Sequence, residues 1–170
     1  MQTITGNDLE QSLIQARKKS MSLFSDIEHR LEPVRTLNEV EFINDSKATD
    51  IDSSGYSLDM MEKPVIWIIG ESDEDTDYEL LVDEVADKVR ILVVFGNPSR
   101  KALESIIRLV DIYKVAETVQ DAVEVAHELA LQGEVVLFSP ACSSFAQFDN
   151  YRDRGITFRD AVNSLKAKGN

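Results

Sequence analysis

The chain has 170 residues, of which 43% are hydrophobic and 29% are charged, proportions typical of a globular protein with one domain and a buried core. Its formal net charge of −13 would repel nucleic acids and anionic membranes, so neither is expected as a partner. The single cysteine, Cys142, cannot form a disulfide within the chain. The sequence shows neither a secretory signal pattern nor an apolar run of the roughly 20 residues that a membrane span needs. We therefore expect a cytoplasmic protein with no nucleic-acid or membrane partner.

The first predicted element is a helix over residues 7–24, "NDLEQSLIQARKKSMSLF". Leu9, Leu13, Ala16 and Phe24 fall near one side of it at helical spacing. The polar pair at its start can cap the helix, and the basic residues lie toward its end, where the helix dipole favours them. The pattern therefore predicts an amphipathic helix that needs a surface to cover its apolar side.

A β-hairpin is predicted next. "RLEPVRTL" and "VEFIN" are typical of two short strands, joined by a tight turn at Asn38 and Glu39. Pro33 cannot donate a backbone hydrogen bond, so we expect the first strand at the edge of a sheet.

Beyond Lys63, short apolar runs alternate with helical patterns. The runs predict strands at 64–70, 90–96, 112–116 and 134–140, with helices at about 77–87, 98–108 and 118–131. Three of these strands are apolar on both faces, which is typical of a parallel sheet covered by helices on each side. The expected fold class is therefore α/β, Rossmann-like and doubly wound, with a mostly parallel sheet and an N-terminal antiparallel hairpin strand.

Polar loops follow the predicted strands, at the edge of the sheet where such folds bind ligands. Two of them, "NDSKATD" at 44–50 and "SPACSSFAQF" at 139–148, are rich in hydroxyls and small residues. This composition suits a site for a polar ligand, but it also suits ordinary turns and helix caps. Spacing alone slightly favours the turns and caps.

Taken together, three segments resemble the C-terminal domain of the Mur ligases. They are "HR" at 29–30, "INDSKAT" at 43–49 and "LFSPACSSFAQFDNYRDRGITF" at 137–158, in order and at natural spacing. The resemblance runs from about Phe24 to Leu165 and is strongest to the branch that adds D-glutamate to a cell-wall precursor. It implies the Mur ligase C-terminal domain fold over residues 28–170. It also implies that residues 1–27 resemble the last helix of the family's central ATP-binding domain.

For the nucleotide, which in this family is ATP with Mg²⁺, the resemblance implies two contact residues. Arg30 would approach the phosphates, where a fixed fork of donors suits anionic oxygens. Asp45 would accept hydrogen bonds from the ribose hydroxyls. A surface ion pair for Arg30 and a cap for Asp45 are the structural alternatives, and no residue is assigned to catalysis or to a metal.

For the amino-acid substrate, the resemblance implies five contact residues. Lys47 would meet a carboxylate, and Thr49 would add a hydroxyl contact. Ser144 and the backbone of Phe145 would hold the side-chain carboxylate, and Tyr151 would pack over it. The structural alternatives are a solvated charge for Lys47, a turn for Ser144 and a core position for Tyr151.

The loop "GESDEDTDY" at 70–78 departs from the pattern that it resembles. The D-glutamate-adding branch has here a loop like "GGDGK", whose lysine helps to bind D-glutamate. Glu74 stands at the position of that lysine, so a positive charge is replaced by a negative one. Five more carboxylates lie between Glu71 and Glu79. The spacing is close to that of a calcium loop, but Tyr78 stands where that loop needs glycine. A solvated acidic loop is therefore expected, with a weak divalent-cation site as the alternative.

Activation of a carboxylate with ATP needs a phosphate cradle, and none of the seven glycines begins a G-x-x-x-x-G-K-[ST] pattern. The first hypothesis is therefore a stand-alone binding or regulatory module that is not catalytic alone. Its N-terminal helix would dock on its own domain, a second copy or a protein partner. The second is one part of a split or truncated ligase that adds D-glutamate to UDP-N-acetylmuramoyl-L-alanine. An unrelated nucleotide-binding α/β protein is a third, which the missing glycine-rich loop disfavours.

Overall fold

The computed structural model describes residues 11–16, 19 and 27–169. Of the helix predicted at 7–24, residues 11–16 and residue 19 are helical, and Leu13 is exposed. The rest of that prediction, including Leu9 and Phe24, lies outside the described residues, as does the docking of the helix's apolar side. No helix in the described part of the chain is long and apolar enough to cross a membrane.

The described residues form one six-stranded sheet with the order β1-β2-β6-β3-β4-β5. The strands are β1 Glu32–Leu37, β2 Val40–Asn44, β3 Val65–Ile69, β4 Val89–Phe95, β5 Ile112–Ala116 and β6 Val135–Phe138. β1 pairs antiparallel with β2, and the other pairs are parallel. The predicted mostly parallel sheet with an antiparallel hairpin strand is confirmed.

The hairpin turns at the predicted residues. Asn38 has a φ of 51° and Glu39 a φ of 60°, so both central residues take the left-handed conformation that matches the twist of a two-residue hairpin. β1 lies at the edge of the sheet, where Pro33 is tolerated. The register shifts between Pro33 and Arg35.

The described part of the chain also contains five α-helices after the hairpin. They are α1 Ile51–Asp59, α2 Val82–Lys88, α3 Arg100–Ile107, α4 Val119–Leu129 and α5 Tyr151–Ser164, and a 3₁₀ turn at Tyr78–Leu81 precedes α2. The helices predicted near 77–87, 98–108 and 118–131 are confirmed. α1 and α5 were not predicted, because their sequences are polar and contain Ser and Gly, which weaken the helical pattern.

The helices cover both faces of the sheet. On one face, Leu58 of α1, Val85 of α2 and Leu103 of α3 belong to one buried cluster with Trp67 of β3. On the other, α4 and α5 contribute a second buried cluster, in which Phe158 stacks on Phe138 with the ring centroids 4.5 Å apart. β3 and β6 are buried along their whole lengths, as strands between two helical layers must be.

The topology opens crevices beside β6 at the carboxyl edge of the sheet. β6 lies between β2 and β3. The chain leaves β2 and β3 toward the helical layer of α1 and α2, and it leaves β6 toward α5 in the opposite layer. Loops that diverge in this way leave room for a ligand between them.

Candidate functional site

Two neighbouring cavities lie at the carboxyl edge of the sheet. The larger, of about 630 Å³, is bounded by the loops that follow β2, β3, β4 and β6. Its lining includes three acidic residues, Asp50, Glu71 and Asp73, and none of the described residues that line it is basic. This cavity is therefore unfavourable for a carboxylate or phosphate group and favourable for an amine.

The smaller cavity, of about 270 Å³, brings together most of the residues predicted from the sequence to bind ligand. Arg30, Asp45, Lys47 and Thr49 all line it. Thr49 and Asp50 line both cavities, so the two are adjacent. The polar loop after β2 thus separates an acidic cavity without cations from one lined by two cations and two carboxylates.

Asp45 comes directly after β2, and its buried carboxylate is surrounded by hydrogen-bond donors. Its Oδ1 accepts from the backbone N–H of Leu31 at 3.2 Å, and its Oδ2 accepts from the hydroxyls of Ser57 and Ser139 at 2.6 and 2.7 Å. Burial raises the pKa of Asp45 to about 6, although the hydrogen bonds and the charge of Arg30 act in the opposite direction. The carboxylate holds three segments together, and its contact with a ribose stays a prediction.

Arg154, which the sequence analysis did not single out, ties the two polar loops together. The residue is 1% exposed. Nη2 donates to the carbonyl of Ser46 at 2.8 Å, Nε donates to the Ser46 hydroxyl at 3.1 Å, and Nη1 donates to the carbonyl of Cys142 at 2.9 Å. One side chain of α5 therefore fixes the loop after β2 against the loop after β6.

The "HR" segment is fixed to the same loop through His29. The Asn44 amide donates from Nδ2 to Nδ1 of His29 at 2.9 Å, and Asn44 Oδ1 accepts from the Ser46 backbone N–H. His29 is buried, and burial lowers its pKa, so the ring is neutral and accepts through Nδ1. The carbonyl of His29 accepts from the Lys47 backbone N–H at 3.0 Å.

Gly155 makes room for this histidine. A Cβ atom at Gly155 would lie 2.2 Å from Nδ1 of His29, which is too close for any side chain. The Gly155 carbonyl also accepts from the Asn44 amide at 3.2 Å. The glycine in "RDRG" thus serves the close approach of α5 to the segment before β1.

The substrate contacts predicted after β6 fall into two groups. Tyr151 begins α5, and its ring centroid lies 5.9 Å from Nζ of Lys47, so these two predicted residues are together. Ser144 is buried, whereas Phe145 is 77% exposed. Ser144 and Phe145 lie between Ser143 and Ala146, which line the larger cavity. Their contacts with a substrate stay predictions.

The acidic loop after β3 folds on itself and on its neighbours. Glu71 accepts from the Asn97 backbone N–H at 2.9 Å, and Asp73 accepts from Thr76. Glu74 pairs with Lys101 at 3.4 Å and does not line the larger cavity. In the described ranges, no group of three or more His, Cys, Asp and Glu residues is placed to hold a metal ion.

A buried arginine of this kind leaves a recognisable pattern in a sequence. Arg154, Phe158 and Val162 recur at helical spacing and are all buried on one side of α5. A charged residue within an apolar stripe must be fully partnered, so its presence there predicts a structural anchor. The spacing was available, but α5 itself was not recognised as a helix.

Comparisons with known proteins agree with this architecture. A family model described as the Mur ligase, glutamate ligase domain matches residues 29–142. The chain is 39% identical over 151 residues to the UDP-N-acetylmuramoylalanine--D-glutamate ligase of Christiangramia forsetii, and 40% identical over 160 residues to the corresponding ligase of Cytophaga hutchinsonii. These alignments cover 89% and 94% of this chain but only 34% of each relative, so the chain spans about a third of their length.

A solved structure shares the fold at much lower identity. The murein peptide ligase of Psychrobacter arcticus superposes with a TM-score of 0.51 and 13% identity, over 83% of this chain and 31% of that one.

Proposed function

The chain belongs to the Mur ligase family as its C-terminal domain, and from that premise we propose that it is a binding module that presents one side of a nucleotide and substrate site in peptidoglycan precursor synthesis. In this proposal it works in the cytoplasm and does not catalyse ligation alone. One observation supports it above the others. Arg30, Lys47 and Thr49 line a single cavity, and the loop that carries Lys47 and Thr49 is fixed to the loop after β6 by Arg154.

The chemistry of ligation explains why the module would need other domains. Activation of a carboxylate as an acyl phosphate requires donors that cradle the transferred phosphate and a bound Mg²⁺. The sequence has no G-x-x-x-x-G-K-[ST] segment that would supply this cradle. We therefore expect ATP with Mg²⁺ to meet Arg30 only at the edge of a site whose remaining parts lie elsewhere.

Calorimetric titration with Mg-ADP and Mg-ATP tests nucleotide binding. We expect weak but saturable binding by the full chain and at least about a tenfold loss in Arg30→Gln, because an arginine contact to phosphate is charge-assisted. Lys114→Gln is the matched control, since Lys114 is an exposed cation on β5 at the other side of the sheet. Asp45→Ala is unsuitable because it would leave three donors without their acceptor.

A second candidate function is favoured by the identity of about 40% to D-glutamate ligases. In it, the chain completes a ligase that adds D-glutamate to UDP-N-acetylmuramoyl-L-alanine when the other two-thirds of the enzyme are supplied in trans. The helix predicted at residues 7–24 would then contact that partner. The test is D-glutamate-dependent phosphate release after mixing this chain with the Cytophaga hutchinsonii ligase lacking its own C-terminal third. Phosphate release that occurs only when this chain is present supports this candidate. Phosphate release that is no greater with the chain than without it contradicts this candidate.

A further inference from the structure

Two backbone groups fix the orientation of the Asn44 side chain. Its Nδ2 donates to the carbonyl of Gly155 at 3.2 Å, and its Oδ1 accepts from the backbone N–H of Ser46 at 3.2 Å. A carbonyl can only accept and an N–H can only donate, so the amide cannot be turned around without the loss of both bonds. Nδ2 also lies 2.9 Å from Nδ1 of His29, which must therefore be an acceptor.

The fixed amide makes the charge of His29 part of the structure. When Nδ1 accepts, the ring carries its one proton on Nε2 and is neutral. Nε2 lies 3.4 Å from Oε1 of Glu28, and that oxygen also accepts from Arg159 at 2.7 Å. A second proton on the ring can only be added at Nδ1, which is the atom that Asn44 holds.

The buried ring of His29 lies among charged side chains. Four of them act on it, two from its own segment and β1 and two from α5: Glu28, Glu32, Arg152 and Arg159. Burial has the largest effect and lowers the pKa of His29 below its ordinary value of 6.5, while the two carboxylates raise it and the two guanidiniums lower it. The ring of Tyr151 packs edge-on at 6.4 Å, and the Asn44 amide is uncharged. We therefore expect His29 to take up its second proton at mildly acidic pH.

The segment that contains His29 is held in a strained conformation. His29 has a φ of 64° and Leu31 a φ of 45°. Both values lie in the left-handed region, which costs free energy for a residue with a Cβ, so the segment keeps this shape only while its contacts hold it. These contacts lead to the loop after β2: the Leu31 N–H donates to Asp45, and the His29 carbonyl accepts from the Lys47 N–H.

We propose that His29, Asn44 and Ser46 form a proton-operated latch between the segment before β1 and the loop after β2. Neutral His29 keeps the Asn44 amide, and with it the Ser46 N–H, in place. A proton on Nδ1 would face Nδ2 of Asn44, which is a donor, and could turn instead to Oε2 of Glu32, 3.8 Å away. The amide must then move, so the Ser46 N–H and the Gly155 carbonyl lose their partners and the loop is released.

The latch goes beyond the proposed function, because it operates without a ligand. Its effect on that function has a definite direction. Arg30 directly follows His29, and Lys47 and Thr49 belong to the loop that the latch holds. All three residues line the smaller cavity, so under the proposed function nucleotide binding should weaken as pH falls.

Ring ¹⁵N chemical shifts of the labelled full chain report the tautomer and the charge of His29. We expect the Nε2–H tautomer at neutral pH and titration below pH 6.5, with changes in the Ser46 and Lys47 amide signals at the same midpoint. His127→Gln assigns the ring signals, since the chain has two histidines. An Nδ1–H tautomer at neutral pH would overturn the inference, as would a ring that stays neutral down to about pH 5.

Asn44→Asp tests the latch in the opposite direction. A carboxylate at residue 44 can accept from Nδ1–H, so the midpoint of the His29 titration should rise by at least about one pH unit. A midpoint at or below that of the wild type, in a variant that is folded, would contradict the role of Asn44.

Asp45→Asn is the control for the other group of this loop that titrates nearby, since the pKa of Asp45 is about 6. The Ser46 transition should persist in this variant at the His29 midpoint. Its disappearance while His29 still titrates would assign the transition to Asp45 and overturn the latch. No readout here uses a nucleotide, so failure of the latch and failure of Mg-ADP binding are separate results.

Discussion

At the scale of single residues, the site depends on two buried charged groups that each have several hydrogen bonds. Asp45 and Arg154 are 2% and 1% exposed, and each has hydrogen bonds to more than one segment. An unpartnered charge in such a position would be strongly destabilising, so these residues act first as anchors for the loops. We therefore expect ligand contacts at more exposed neighbours, such as Lys47.

Asp45 should make stability depend on pH in an unusual direction. Its folded pKa of about 6 is above its ordinary value of 3.8, so the folded chain takes up a proton before the unfolded chain does as pH falls. The stabilisation from this proton is fully present below about pH 4 and is lost as pH rises through about 6. Wild type should therefore gain ~2–3 kcal/mol relative to Asp45→Asn between pH 7 and pH 4.

Urea unfolding of both proteins at several pH values measures this gain. The comparison with Asp45→Asn removes the contributions of the other carboxylates, and asparagine keeps the shape of the side chain. A constant difference in the free energy of unfolding between pH 4 and pH 7 would show that burial of Asp45 does not shift its titration.

At the scale of elements, α5 organises the site although it also covers the sheet. Its first turn carries Tyr151, Arg152 and the Arg154 anchor, and the next residue, Gly155, admits His29. Below them, Phe158 packs on Phe138 of β6. Packing of the helix on the sheet therefore sets the position of every side chain that it brings to the carboxyl edge.

Removal of the Arg154 anchor should loosen both polar loops together. In Arg154→Met, the carbonyls of Ser46 and Cys142 lose their donors, and we expect a loss of about 2–4 kcal/mol in the free energy of unfolding. Hydrogen exchange should become faster in residues 44–50 and in residues 139–146. Arg108→Met on the exposed end of α3 is the control. Faster exchange in only one of the two loops would contradict the role of Arg154 as their connection.

The sequence predicted the elements whose signals are local. Apolar runs identified β3, β4 and β6 because a strand buried on both faces has no polar alternation, and Asn38 with Glu39 marked the hairpin turn. α1 and α5 were not predicted because their stability comes from helix caps and tertiary packing more than from helix propensity. The role of Arg154 was missed because it too depends on tertiary contacts: its partner Ser46 is 108 residues away in the sequence.

Site residues were predicted more unevenly than the fold. The resemblance placed Arg30, Asp45, Lys47 and Thr49, which the structure brings to one cavity. It gave no warning that Asp45 is enclosed by Ser57 and Ser139, because that enclosure depends on how α1 and β6 pack.

At the scale of the whole molecule, charge divides the carboxyl edge of the sheet. The chain carries a net charge of −13, and Asp50, Glu71 and Asp73 concentrate negative charge at the larger cavity. Lys47 and Arg152 gather positive charge at Tyr151, next to the smaller cavity. A ligand with an anionic and a cationic end would be oriented by this field, as an amino acid is.

The most direct test of the account is an ¹⁵N chemical-shift map of the full chain with Mg-ADP. We predict shifts concentrated at Arg30 and in residues 44–50, with small effects at the opposite end of the sheet around Glu134. Such a map would show that the loop after β2 is a nucleotide-binding surface without the rest of a ligase. Shifts that are absent at millimolar Mg-ADP, or that cluster away from these residues, would contradict the claim that this domain binds nucleotide there.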